Sequence, residues 1–149
     1  MSETVQDTTE STHDVYTNLG ANHHMWSTVT LRTGAHLDGK TRTQTGTWFG
    51  GYTGGVNCLF LDSGQKAIGQ SNIHQFGVDG TAVGRADRTD WWGEDFDSGL
   101  RPSIADFVVL QFWAPKYGAL NTIIRHAVSV GKDLGPLIQE LKDAGVIPH

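Results

Sequence analysis

This sequence is poor in cysteine, in charge and in long apolar runs, and each shortage closes off a class of protein. The single cysteine, Cys58, has no partner for a disulfide within the chain, so no covalent framework holds the fold. It sits in the apolar stretch Val56 to Leu61. A small buried hydrophobe is expected there rather than a thiolate nucleophile, because no cationic neighbour in sequence lowers its pKa. Charged residues make up 18% of the chain, against a usual value of about 25%. Thr, Gly, Ser, Asn and Gln take their place and give a neutral-polar surface, which suits β-rich and sugar-binding proteins. The 11 Lys and Arg are outnumbered by 16 Asp and Glu, for a net charge of −5. The basic concentrations, Lys40 with Arg42 and Arg85 with Arg88, have acids beside them, so nucleic-acid binding is not expected. No segment approaches the roughly 18 apolar residues of a membrane span. No basic-then-apolar leader pattern is present either; a cytoplasmic location is expected by default, with a processed, exported form left open.

Several catalytic signatures are missing as well. The sequence has no HExxH or CxxC spacing for a metal, no G-x-S-x-G elbow and no EF-hand order. Gly50 to Gly55 is glycine-rich but is followed by neither the lysine nor the helix of a phosphate-binding loop, and reads as a bend that permits close backbone approach. No cofactor is expected, and the chain is read as non-enzymatic.

What is present is alternation. A chain of 149 residues suits one domain, long enough to bury about two thirds of its unfolded surface without disulfides or metal. Residues 1–20 are polar and acidic, and predict a disordered arm, with Val15, Tyr16 and Leu19 as its only anchors against a neighbouring subunit. From His23 a period of two takes over. Met25 to Thr33 places Val29 and Leu31 on one face and Thr28 and Thr30 on the other. Asp38-Gly39 predicts a tight turn, and Thr41, Thr43, Thr45 and Thr47 share one face of the next strand. Val56 to Leu61 predicts a central strand, Asp62 to Gln65 a turn, and Lys66 to Phe76 the returning strand. Asp79-Gly80 marks a further turn before a strand over Thr81 to Trp92, and Ile104 to Trp113 a last one. The pattern predicts a mainly β fold, an antiparallel β-sandwich of about six or seven strands over residues 21–118. A helical tail follows over 119–149. Gly131 splits it, Asp133 and Pro136 open its second segment, and Gly145 stops it.

Three sets of residues are candidates for function. Trp91 and Trp92 alternate faces beside Arg88 and Asp90, which matches in chemical type a sugar-stacking platform with polar neighbours; tryptophans in a core or interface are the competing reading. Asp87, Asp90, Glu94, Asp95 and Asp97, with His74, are weak candidates for a metal, set against a solvated acidic loop paired with Arg85, Arg88 and Arg101. The apolar stripe Leu120, Ile124, Leu137, Ile138 and Leu141 needs a cover, supplied by its own sheet or by another chain. Together these predict a non-catalytic binding or assembly protein, a homo-oligomer joined through the C-terminal helices and sheet edges. A lectin-like glycan-binding module and a small metal-dependent hydrolase are the alternatives.

Overall fold

The computed structural model describes residues 10–82 and 84–149. Eight strands in two antiparallel sheets are followed by two helices: β1 (Ser11–Gly20), β2 (His23–Leu31), β3 (His36–Thr45), β4 (Tyr52–Leu61), β5 (Ala67–Gln70), β6 (His74–Val78), β7 (Asp87–Asp95), β8 (Asp106–Trp113), α1 (Tyr117–Val130) and α2 (Leu134–Asp143). Sheet A runs β1-β2-β3-β7. In sheet B the central β4 pairs with β8 along one side, and with β6 and then β5 along the other. The mainly β, antiparallel two-sheet architecture expected from the alternation is therefore present, and the C-terminal helices form a third layer.

Two cores follow from these layers. Met25, Val29, Leu31 and Leu37 of sheet A meet Val56, Cys58, Phe60, Phe107 and Val109 of sheet B between the sheets. Because β4 is covered on both faces, its alternate residues Leu59 and Leu61 join a second core with Leu110, Phe112 and the helices. That double burial explains its continuous apolar run.

The sheets are also stitched by a buried chain of polar groups. Trp92 Nε1 donates to Thr41 Oγ1 (3.0 Å), which lies 2.9 Å from Ser27 Oγ. Ser27 in turn donates to Gln111 Oε1 (2.6 Å), and Gln111 Nε2 donates to Thr17 Oγ1 (2.8 Å). The row of threonines at 41, 43 and 45 thus faces inward; Thr41 is partnered in this chain and Thr45 Oγ1 lies 2.9 Å from His23 Nδ1, whereas Thr43 Oγ1 is buried without a hydrogen-bond partner among the described residues.

The structure corrects several local expectations. Residues 1–9 lie outside those described, but Ser11–Gly20 is a full strand rather than disordered arm, paired with β2 from Ser11 to Asn18 and again at Gly20 after a register shift at Leu19. An edge strand needs only one half-buried face, and here Val15 and Leu19 pack on the chain's own core while His13 meets Phe107 edge-on and bonds Asp106 at 2.8 Å. Asp38-Gly39 is not a turn. Both residues lie inside β3, and a Cβ on Gly39 would sit 2.1 Å from the Trp92 indole, so glycine is there to admit that ring. The expected strand over Lys66 to Phe76 is split into β5 and β6 at Ser71, whose backbone N donates to Cys58 O (2.8 Å) and whose Oγ accepts from Cys58 N (2.8 Å).

Helix α1 ends as expected at Gly131, which is left-handed (φ 64°), and α2 is followed by left-handed Gly145 (φ 71°). Asp133 stands at the head of α2 without a side-chain capping bond and pairs instead with Lys66 at 2.9 Å. Leu120, Ile124, Leu137 and Leu141 are fully buried against Leu59, Leu61 and Phe112, with Ile138 packed on the same cluster. The stripe expected to join subunits is covered by the chain's own sheet B, which removes it as an interface.

Candidate ligand-binding face

Sheet B has both faces covered, whereas no element among the described residues covers the outer face of sheet A. Strand register brings its outward residues into cross-strand rows. Tyr16, Trp26, Arg42 and Thr89 stand opposite one another in one row, and Asp14, Thr28, Lys40 and Trp91 in the next. The first row is a stack. The Tyr16 and Trp26 rings lie 5.2 Å apart, and the Arg42 guanidinium sits over Trp26 at 4.6 Å. Arg42 is held there by two bonds to the Asp87 carboxylate, of 3.0 and 2.6 Å. That pairing holds Asp87 below the usual carboxylate range. Tyr16 Oη and His24 Nδ1 are hydrogen-bonded at 2.7 Å, which extends the aromatic surface by one residue.

The second row is less occupied. Trp91 is 73% exposed, and the Lys40 ammonium lies 5.4 Å from its ring centre. Among the described residues Lys40 makes no ion pair. Between the rows lies a depression of about 260 Å³ lined by Trp26, Thr28, Lys40, Arg42 and Thr89. An exposed indole beside fixed hydroxyls and cations can stack a ring and bond its substituents.

The residues singled out in sequence are divided by this geometry. Trp91 faces out and Trp92 faces in, as their alternation requires. Arg88 and Asp90 go inward with Trp92 and pair with each other (2.7 and 2.8 Å), and Arg88 also donates to Gly77 O (2.9 Å). They fasten β7 to β6 and are not neighbours of Trp91 on its face. His74 belongs to the same seam. It stacks on Trp92 at 4.2 Å and bonds Glu94 at 2.7 Å, and Glu94 also accepts from Asn72 N at 3.1 Å. The weak metal candidates do not converge: Asp87 is taken by Arg42, Asp90 by Arg88, Glu94 by His74 and Asp95 by His36, and Asp97 caps its own turn at Gly99 N. Among the described residues no three His, Cys, Asp or Glu side chains gather as an ion would need. Cys58 is fully buried, and burial pushes its thiol up to about 12, the reverse of nucleophile activation.

Reading the sequence alone does not bring Tyr16, Trp26, Lys40, Arg42 and Thr89 together on one face. For Trp26 the signal was present, since it shares parity with Thr28 and Thr30 on the solvent side of β2. Lys40 and Arg42 were hidden by reading Asp38-Gly39 as a turn. Comparison with protein-family models, with curated proteins and with solved structures finds no match to this chain.

Proposed function

We propose that this chain is a non-catalytic binding protein whose working surface is the open face of sheet A, and that its ligand is a glycan whose sugar rings stack on Trp91. The exposure of Trp91 beside the Lys40, Arg42 and Thr89 depression carries this reading. Trp91 is not a scattered apolar residue but part of a contiguous face with Lys40 and with the Tyr16, Trp26 and Arg42 row, and a sugar offers an apolar face for the ring and hydroxyls for the neighbours. The test is a glycan array followed by titration of tryptophan fluorescence. Binding that weakens at least tenfold in Trp91→Ala supports the proposal. Silence on the array, or binding indifferent to that substitution, refutes it.

Self-association is a second reading. It no longer draws on the helices, whose stripe is buried, but on the adjacent Trp48 and Phe49, exposed at 69% and 77% in the loop between β3 and β4. The loop is held by bonds from Thr81 N to Thr47 O (2.7 Å) and Ala82 N to Trp48 O (2.8 Å). Sedimentation of the wild type across a concentration series measures it directly; a single monomer species throughout removes it.

A further inference from the structure

We infer that the ligand is an acidic glycan, with its anionic substituent received by the Lys40 ammonium in the depression between Trp26 and Thr89. This inference rests on the glycan reading above and deepens it.

The residues lining the depression are two cations, two hydroxyls and an indole, without a carboxylate. The two cations differ in what remains of them. Arg42 is committed to Asp87 through two bonds and sits over the Trp26 ring at 4.6 Å, so it forms part of the wall. Lys40 has three N–H donors. The one contact recorded for its ammonium is the Trp91 ring, and it has no acidic partner among the described residues. A ligand anion is therefore met by a charge that need not first be taken from a protein carboxylate. Of the two hydroxyls, Thr28 donates to Asp14, which leaves its oxygen to accept from a sugar hydroxyl.

Size points the same way. Sites that enclose a whole small ligand run to about 300–1,000 Å³. The depression, at about 260 Å³, has room for one sugar unit with its carboxylate or sulfate, not for an oligosaccharide. The rest of the chain extends across the exposed face of Trp91, which stands directly opposite Lys40 in the register. A single uncommitted lysine suits one anionic substituent per ring. It does not suit a phosphate backbone, whose binding needs several cations at once and would work against a net charge of −5.

The experiment is calorimetric titration of the full chain with four probes: a polygalacturonate oligosaccharide, a sulfated galactan oligosaccharide, a neutral oligosaccharide of matched length, and single-stranded oligothymidylate. The wild type is expected to bind one acidic sugar at least tenfold more tightly than the neutral one. The uronate and sulfate arms tell the two anionic groups apart. Lys40→Met is expected to bring that ratio close to one and to flatten the salt dependence, whereas Trp91→Ala weakens every sugar. Both side chains are solvent-exposed, so unchanged circular dichroism and melting confirm that each variant is folded. Equal affinity for acidic and neutral sugars, or a ratio unmoved by Lys40→Met, overturns this inference and leaves the glycan reading standing. Failure to bind any sugar overturns both. Tighter Lys40-dependent binding of oligothymidylate also overturns both, in favour of a nucleic-acid ligand.

Discussion

Ile124→Ala is the substitution that separates a helix layer folded on its own chain from one held in place by a second copy. Ile124 is fully buried in a cluster that includes Leu59, Leu61, Phe112, Leu120, Leu137 and Leu141. Truncation removes about three buried carbons, worth about 2.4 kcal/mol of transfer at roughly 0.8 kcal/mol each. The space left between α1 and sheet B closes only in part, which raises the cost to about 3–4 kcal/mol. For a chain of this length each kcal/mol lowers Tm by about 2–4 °C, so the melt falls by about 6–16 °C. Val130→Ala is the control. It lies on the same helix but is exposed, and it should change stability by less than about 0.5 kcal/mol. The assay is thermal unfolding by circular dichroism at two protein concentrations a hundredfold apart. With the stripe covered internally, both melts are independent of concentration and the loss appears in full at each. A loss below about 1 kcal/mol would refute the internal docking of α1, as would a melt that drops on dilution while the mass halves and still does so when Trp48 and Phe49 are both changed to Ala.

Two further outcomes follow from buried groups. Cys58, with its thiol pushed up to about 12 by burial, should not react with a thiol reagent at pH 8 until the protein is unfolded in urea; prompt labelling of the native chain would place it at the surface. Burial, and then the neighbouring His24, push His23 below its ordinary value of 6.5. Protons therefore bind the unfolded chain more readily, and stability declines as pH falls from 6.5 through the folded value. His36 is raised by its bonds to Asp95 and Asp38, so its contribution runs the other way: present below 6.5 and lost as pH rises through its folded value. His36 is half-buried with a solvent-screened pair, so its contribution is discounted against that of the buried His23. Urea midpoints at pH 5.5 and 7 should show lower stability at the lower pH, a smaller drop in His23→Gln and a larger one in His36→Gln.

The parts of the fold that were legible in the sequence are those fixed by local physics. The apolar runs of β4 and β8, the alternation of β2, the left-handed glycine ending α1 and Pro136 opening α2 depend on neighbours a few residues away. The parts that were not legible depend on residues far along the chain. β1 looks too polar to order, because its backbone is satisfied by β2 and its Thr17 by Gln111, 94 positions later. Gly39 mimics a turn residue, yet its smallness serves Trp92. The charges of β7 look like a metal cluster along the sequence, but alternation sends them to opposite faces, where Arg42, His36 and His74 take them up individually. The binding face has the same character. Trp91 could be read as outward, but Tyr16, Trp26 and Lys40 become its neighbours only through the register of four strands.

The most direct measurement of the central claim is the set of indole N–H resonances in a ¹H–¹⁵N spectrum during titration with the tightest-binding oligosaccharide. Five tryptophans give five signals. Trp91 should shift furthest, Trp26 less through the adjoining depression, and Trp48 and Trp113 should stay in place. A saturable shift confined to Trp48 or Trp113, with Trp91 unmoved, would show that the open face of sheet A is not where the ligand binds.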